Sequence, residues 1–178
     1  IAQPTPCASV LSITACADLP TFQFSNCTVG AVSCFWDFGD GLATNNTCDP
    51  TVFANYLVTG PGTYQVVLTV CDGPALTGNC DTAIINVVVY ALPTAAFTVN
   101  DQEGCAPFTV CFTDQSTVGD GTIINWLYTY GDAGSSTGTQ DPCYTYPPTS
   151  LGTWDVTLQV VDDNGCSDTS TQFQYITV

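Results

Sequence analysis

Trp36-Asp37-Phe38-Gly39-Asp40-Gly41 is the stretch that decides the fold, because the chain carries a worn second copy of it, Tyr128-Thr129-Tyr130-Gly131-Asp132-Ala133. Each copy leads into the same downstream phrase. In the first it is Gly62-Thr63-Tyr64-Gln65-Val66-Val67-Leu68-Thr69-Val70, and in the second Gly152-Thr153-Trp154-Asp155-Val156-Thr157-Leu158-Gln159-Val160. Tyr56 and Tyr146 each stand a fixed distance before Tyr64 and Trp154. Upstream, Thr21-Phe22-Gln23-Phe24 answers Thr109-Val110-Cys111-Phe112. A self-match at a period of about 90 residues is too long for a solenoid repeat and suits two tandem domains. The Pro-containing joint Tyr90-Ala91-Leu92-Pro93-Thr94 separates the copies, so domains are expected over 1–91 and 92–178.

Both halves alternate short Val, Ile, Thr, Phe and Tyr runs with Gly, Pro, Asn and Asp, and no sustained helical period is present. Tyr64, Val66, Leu68 and Val70 fall on one face of a strand, and Trp154, Val156, Leu158 and Val160 repeat the pattern. The run from Ile84 to Tyr90 is more continuously apolar and reads as a strand buried on both faces or paired across a joint. Trp36, Trp126 and Trp154 lie in strand patterns and read as core. The fold class is all-β, with β-sandwich architecture.

The signature, the following Tyr and the Gly-Thr-Tyr-x-Val-x-Leu-x-Val strand together resemble the PKD (polycystic kidney disease) domain, and the match spans nearly the whole chain. The resemblance implies two tandem immunoglobulin-like (PKD) β-sandwiches. Gly104-Cys105-Ala106-Pro107-Phe108-Thr109-Val110-Cys111-Phe112 and Asp162-Asp163-Asn164-Gly165-Cys166-Ser167-Asp168-Thr169 are similar to the bacterial surface-protein branch. The second copy departs at the signature, with Thr129 for Asp37 and Ala133 for Gly41. The motif therefore reads as a strand-end turn, in which Gly39 and Gly41 take positive φ and Asp40 bonds neighbouring amides. Tyr128, Tyr130, Tyr144 and Tyr146 form a dense aromatic group whose equivalents the family places mostly inside or at strand ends.

The 178 residues contain no Lys, Arg or His and 16 acidic residues, a formal charge of −16. Charged residues make up 9 %, against about 25 % in an ordinary soluble domain, so the bases are missing rather than the acids enriched. Side-chain salt bridges are impossible. No side chain neutralises phosphates, which argues against nucleic acid as a partner, and an anionic membrane surface repels the chain. With neither His nor Lys there is no general base near neutrality and no Ser–His or Cys–His pair. Carboxylate pairs of the glycosidase kind remain conceivable, but Asp18, Asp49, Asp81, Asp114 and Asp141 are scattered singly through turns. No enzyme is expected.

Eleven cysteines imply an oxidising compartment and a disulfide framework, without zinc-site spacings. Aligning the repeats pairs Cys105 with Cys166 and Cys16 with Cys80. Either loop of about 60 residues would add roughly 4 kcal/mol in the chain-entropy model. Cys111–Cys143, Cys34–Cys71 and Cys27–Cys48 follow as further pairs. Cys7 remains, either as an intermolecular bond or as a sign that the pairing differs.

Asn26-Cys27-Thr28 and Asn45-Asn46-Thr47 fit the N-glycosylation pattern at Asn26 and Asn45, and Asp81-Thr82-Ala83 resembles an O-glycan acceptor at Thr82. No cofactor is required. Calcium is the one left open, at Asn100-Asp101-x-Glu103 and Asp162-Asp163-Asn164, oxygen-rich turns of the kind that ligate it. Asp101, Glu103, Asp162 and Asp163 are the ligand candidates, and some PKD relatives bind calcium near such positions. The longest apolar run, Ile84–Leu92, is far short of a membrane span. A secreted chain whose targeting segment has been removed is expected, with a location outside the cell or on its surface.

Edge strands are ordinarily guarded by Lys, Pro or bulges. With no Lys in the chain, edges here are expected to be covered by glycans or used for assembly. The first functional expectation is a non-enzymatic extracellular structural protein, the repeating subunit of a surface fibre, filament or sheath, with itself as partner through strand edges and the N-terminal region. The alternative is an adhesive or carbohydrate-binding module of a larger secreted or surface protein.

Overall fold

The computed structural model describes residues 3–42, 44–57 and 59–178. The chain divides into two compact units, Ile1–Tyr90 and Ala91–Val178, within the Pro-containing joint. The fold is all-β and immunoglobulin-like, with one single-turn 3₁₀ segment, Pro74–Leu76, among the described residues. None of the described residues forms a helix long and apolar enough to cross a membrane.

The first unit consists of β1 (Ala8–Val10), β2 (Thr14–Cys16), β3 (Thr21–Asn26), β4 (Ser33–Asp37), β5 (Thr44–Asn45), β6 (Thr51–Asn55), β7 (Gly62–Cys71) and β8 (Cys80–Tyr90). They form one sheet in the order β1-β3-β6 and a second in the order β2-β8-β7-β4-β5. The second unit has β9 (Phe97–Val99), β10 (Phe108–Asp114), β11 (Ile123–Thr129), β12 (Ser135–Thr137), β13 (Cys143–Tyr146), β14 (Thr153–Asp162) and β15 (Ser167–Thr177). Its sheets run β13-β10-β9 and β12-β11-β14-β15. β2 pairs parallel to the end of β8 and all other named strand pairs are antiparallel.

Period-two alternation sets the cores. Val66, Leu68 and Val70 of β7 turn inward with Phe22, Phe24, Trp36 and Tyr56; Val156, Leu158 and Val160 of β14 do so with Val110, Phe112, Tyr128 and Tyr146. The run Ile84–Tyr90 is not buried on both faces. Val87 and Val89 are inside and Ile84 is exposed, so β8 alternates like its neighbour.

The two signatures build matching aromatic cores. Trp36 stacks on Phe38 with centroids 6.3 Å apart, and Tyr128 stacks on Tyr130 at 6.4 Å. The tyrosines bring hydroxyls into the core, and each finds a partner: Tyr128 donates to Gln140 O at 3.2 Å and Tyr130 shares a 2.7 Å bond with Ser136 Oγ. Trp36 Nε1 is buried with no acceptor among the described residues.

Gly39 and Gly41 have φ of +71° and +70°. A Cβ on Gly39 would lie 2.5 Å from Gln65 O, whereas one on Gly41 meets nothing. Asp37 Oδ1 accepts Gly39 N at 2.9 Å and Asp40 Oδ1 accepts Leu42 N at 3.0 Å, so the motif is a turn held by its own carboxylates. Gly41→Ala should cost only the left-handed penalty, about 1 kcal/mol. Gly39→Ala adds a backbone clash and should cost clearly more, on the order of 2–4 kcal/mol. Urea unfolding of the two variants checks this; equal losses would contradict it.

Candidate functional site

The cysteines are the first candidates that folding rearranges. Cys71 lies opposite Cys80 in the β7–β8 register and is bonded to it. Cys111 lies opposite Cys143 across β10–β13 and is bonded to it. Cys27 N donates to Cys7 O, continuing the β1–β3 ladder, and the two sulfurs are joined. Cys34 is bonded to Cys48. Cys16 and Cys166 are disulfide-bonded as well.

Four expected pairings are therefore corrected. Cys16 lies opposite Tyr90, at the far end of the 11-residue β8 from Cys80, roughly 30 Å away at the strand rise. Cys105 follows Gly104, whose N–H donates to Thr177 O at the end of β15, whereas Cys166 precedes the start of β15. The same strand length separates that pair. Cys34 faces Val70, one register position from Cys71, so their side chains leave opposite faces. Cys27 is taken by Cys7, which also removes Cys7 as an intermolecular cysteine and excludes Cys27–Cys48. Cys105 is the free, exposed thiol. The repeat alignment had matched positions in sequence; the hydrogen-bond register decides which sulfurs meet.

The glycan candidates differ in access. Asn26 is half-buried: its Oδ1 accepts Thr28 N at 3.0 Å and its Nδ2 lies 3.6 Å from Cys34 Sγ. Asn45 is half-buried in β5, opposite Trp36. Thr82 is exposed on β8.

The acidic turns are occupied by backbone amides. Asp162 is only 1 % exposed; its Oδ1 accepts Asn164 N and Cys166 N at 3.0 and 2.8 Å, and its Oδ2 has no partner. Asp163 Oδ1 accepts Thr122 N at 2.8 Å. Asp101 Oδ2 accepts Asn100 Nδ2 at 2.9 Å, and Asp101 and Glu103 are exposed. Calcium takes about six to eight oxygens. Among the described residues no three metal-binding side chains of the His, Cys, Asp and Glu types converge.

Asp114 and Asp132 carry more structure than single turn acids. Asp114 accepts Ser116 N at 2.9 Å, Trp126 Nε1 at 2.8 Å and Gln140 Nε2 at 3.1 Å. Burial pushes its carboxyl up, but the bonds from Ser116, Trp126 and Gln140 together outweigh that and hold it below the usual range. Asp132 accepts the Tyr144 hydroxyl with both oxygens at 3.0 Å and Ser150 Oγ at 2.7 Å. Burial, then the Asp132 carboxylate, pushes the Tyr144 phenol up. Tyr144 stacks on buried Tyr130 at 4.1 Å, so the aromatic group is core and sheet rim. Trp126 and Trp154 are half-buried, the latter donating to Ser150 O at 3.2 Å. These carboxylates anchor loops.

An open groove of about 880 Å³ lies in the second unit, lined by residues of β9, the segment after it, and the end of β15. Asp101 and Glu103 stand on its wall, with Phe173 and Tyr175 on the strand opposite.

A family model described as PKD domain matches residues 90–178. The chain is similar to the PKD1 domain of the Vibrio cholerae metalloprotease PrtV, with 31 % identity over 49 % of this chain and 99 % of that one and a TM-score of 0.42. The PKD1 domain of Vibrio anguillarum Epp gives 25 % identity over 49 % and 95 %, with a TM-score of 0.41. Fibronectin(III)-like modules of Clostridium thermocellum CbhA give 15 % identity over 96 % and 94 %, with a TM-score of 0.45.

Two outcomes test these assignments. Iodoacetamide applied to the unreduced, denatured protein should label Cys105 alone in a peptide map; label on Cys7 would contradict the Cys7–Cys27 bond. Asp114→Asn should lose about 1–2 kcal/mol at neutral pH. Because the folded carboxyl titrates below its unfolded value, that stabilisation is complete above about pH 5 and is lost as pH falls through the folded value. The gap between wild type and variant in urea melts should therefore shrink on acidification; a gap constant down to about pH 2 would count against the assignment.

Proposed function

The chain belongs to the PKD domain family, and from that premise we propose that it is a non-enzymatic extracellular structural protein whose copies associate through the open edge of β8. Its disulfides and PKD-like sandwich are compatible with a module of a larger extracellular protein. The edge of β8 carries the finer reading. One side of that strand pairs with β7 in unbroken register from Gly62↔Val89 to Cys71↔Cys80. Among the described residues the other side meets β2 at Val88–Tyr90 only, leaving the stretch before Val88 without a neighbouring strand in its own sheet.

That free stretch, Asp81-Thr82-Ala83-Ile84-Ile85-Asn86-Val87, contains none of the usual guards. It has no Lys, no Pro and no bulge, and Ile84 is 57 % exposed. Its one carboxylate, Asp81, accepts Thr82 N at 2.8 Å. The chain's negative charge is concentrated in turns, so two such edges can approach with little direct repulsion between the strands themselves. Backbone pairing gives affinity without any cation, the one type of side chain this composition lacks. Thr82 stands on the same edge, and a glycan there would cover it.

The non-enzymatic part rests on the missing His and Lys and on the commitment of Asp114 and Asp132 to amides, an indole and hydroxyls. Negative-stain microscopy and light scattering of the purified chain test the assembly. Filaments or concentration-dependent oligomers are expected, and Ile84→Lys combined with Asn86→Lys should abolish them with the circular dichroism unchanged. Dispersed monomers at every concentration would sink the reading, as would assembly indifferent to the two lysines.

A further inference from the structure

We infer that the open groove beside β15 of the second unit is a docking site for an arginine-bearing segment of a partner protein, with Phe173 as the face against which the guanidinium lies. The site is independent of the β8 edge, and neither requires the other.

The ladder of β15 with β14 is irregular at one place, and that place borders the groove. Trp154 pairs with Ile176, but the next partner pair is Val156 with Gln172, so Phe173, Gln174 and Tyr175 together oppose Asp155. Gln174 takes a φ of +51° and is held there by its N–H donating to Asp155 Oδ1 at 2.7 Å. Bulges re-aim side chains, and on this one Phe173 stands 76 % exposed. Tyr175 is fixed edge-on against buried Phe97, with centroids 5.7 Å apart. The bulge therefore brings a free aromatic face and a fixed one to the same groove. The corresponding strand of the first unit, β8, runs without a bulge.

Charge decides what fits. Asp101 and Glu103 line the same groove, and both are exposed. Among the described residues the Glu103 carboxylate accepts no hydrogen bond, and Asp101 spends one oxygen on Asn100. Asp155, bonded to the bulge, adds a third negative charge nearby. Elsewhere the fold takes up its acids itself: backbone amides and an indole occupy Asp114, and amides occupy one oxygen of Asp162. Carboxylates beside an aromatic face are complementary to a guanidinium, which donates to carboxylates through a planar fork and stacks on rings. A second copy of this chain cannot supply that group, because the chain has neither Arg nor Lys. The occupant is therefore a different protein. An anionic group would be repelled. Strand addition at this place is blocked, because the bulge breaks the ladder and the Glu103↔Thr177 bridge occupies the strand end. The cationic side chain, rather than backbone pairing, holds the segment.

Fluorescence anisotropy with the full chain tests the site. The probe is an acetylated, dye-labelled glycine–serine peptide with arginine at alternate positions, and its control carries norleucine in place of arginine. The arginine peptide should bind and the norleucine peptide should not. Phe173→Ala should weaken binding about fivefold, and Phe173→Trp should retain it. Asp101→Asn combined with Glu103→Gln should weaken it about tenfold or more. Asp18→Asn combined with Asp49→Asn removes the same charge from the first unit and should change binding less than about twofold at physiological salt. The thermal midpoint should report every variant folded. Failure of the arginine peptide to bind overturns the inference, as does binding that survives Phe173→Ala. Equal losses in the two pairs of acid variants would overturn it too, since they mark a general attraction to an acidic chain. Equal binding of the norleucine peptide, or a requirement for calcium, would do the same.

Discussion

In each unit one buried tyrosine hydroxyl ties the two sheets together, and the rest of the structure is arranged around that tie. Tyr56 follows β6 of one sheet and donates at 2.8 Å to Phe38 O, which follows β4 of the other; Tyr146 on β13 donates at 3.0 Å to Tyr130 O beyond β11. Burial, then nearby Asp40 at Tyr56 and Asp132 at Tyr146, pushes both phenols up, so the hydroxyl stays a proton donor. The carbonyl it serves sits immediately before the signature glycine. Gly39 and Gly131 are pressed against the backbone of the next long strand, with a Cβ meeting Gln65 O at 2.5 Å or Asp155 O at 2.7 Å. The glycine, the tyrosine and the strand behind them are therefore one constraint, and it tolerates exchange of Trp36 and Phe38 for Tyr128 and Tyr130.

A chain without cations must satisfy its carboxylates in another way, and backbone amides supply it. Asp37, Asp40, Asp114, Asp120, Asp162, Asp163 and Asp168 each accept at least one backbone N–H. These are turn-closing bonds, each worth about 1–3 kcal/mol when the acceptor is charged. They make the acids structural and leave the sheet edges sparsely charged. The units differ at their last strands. β8 keeps an unbroken ladder, while β15 is bent at Gln174 around Asp155 and displays Phe173.

The disulfides show where one-dimensional reasoning reaches its limit. The cysteine count and spacing indicated an oxidised framework, and the repeat suggested equivalent bridges in equivalent places. Three of the bonds instead join cysteines facing each other across a ladder: Cys7 and Cys27, Cys71 and Cys80, Cys111 and Cys143. Which residues face each other depends on register. A shift of one position moves Cys34 from Cys71 to Val70, and no composition or spacing signal reports such a shift.

The all-β class, the duplicated sandwich and the inward faces of β7 and β14 were legible from residues 36–41, 62–70 and 152–160, because period-two burial and glycine turns are local properties of the chain. Tertiary structure alone decided that Cys105 keeps its thiol, that Asp114 and Asp132 are hydrogen-bond hubs, and that Phe173 faces water while Ile176 is buried. Those outcomes depend on pairing register and on a bulge three residues long, which bring together atoms far apart in sequence and so leave no mark in it.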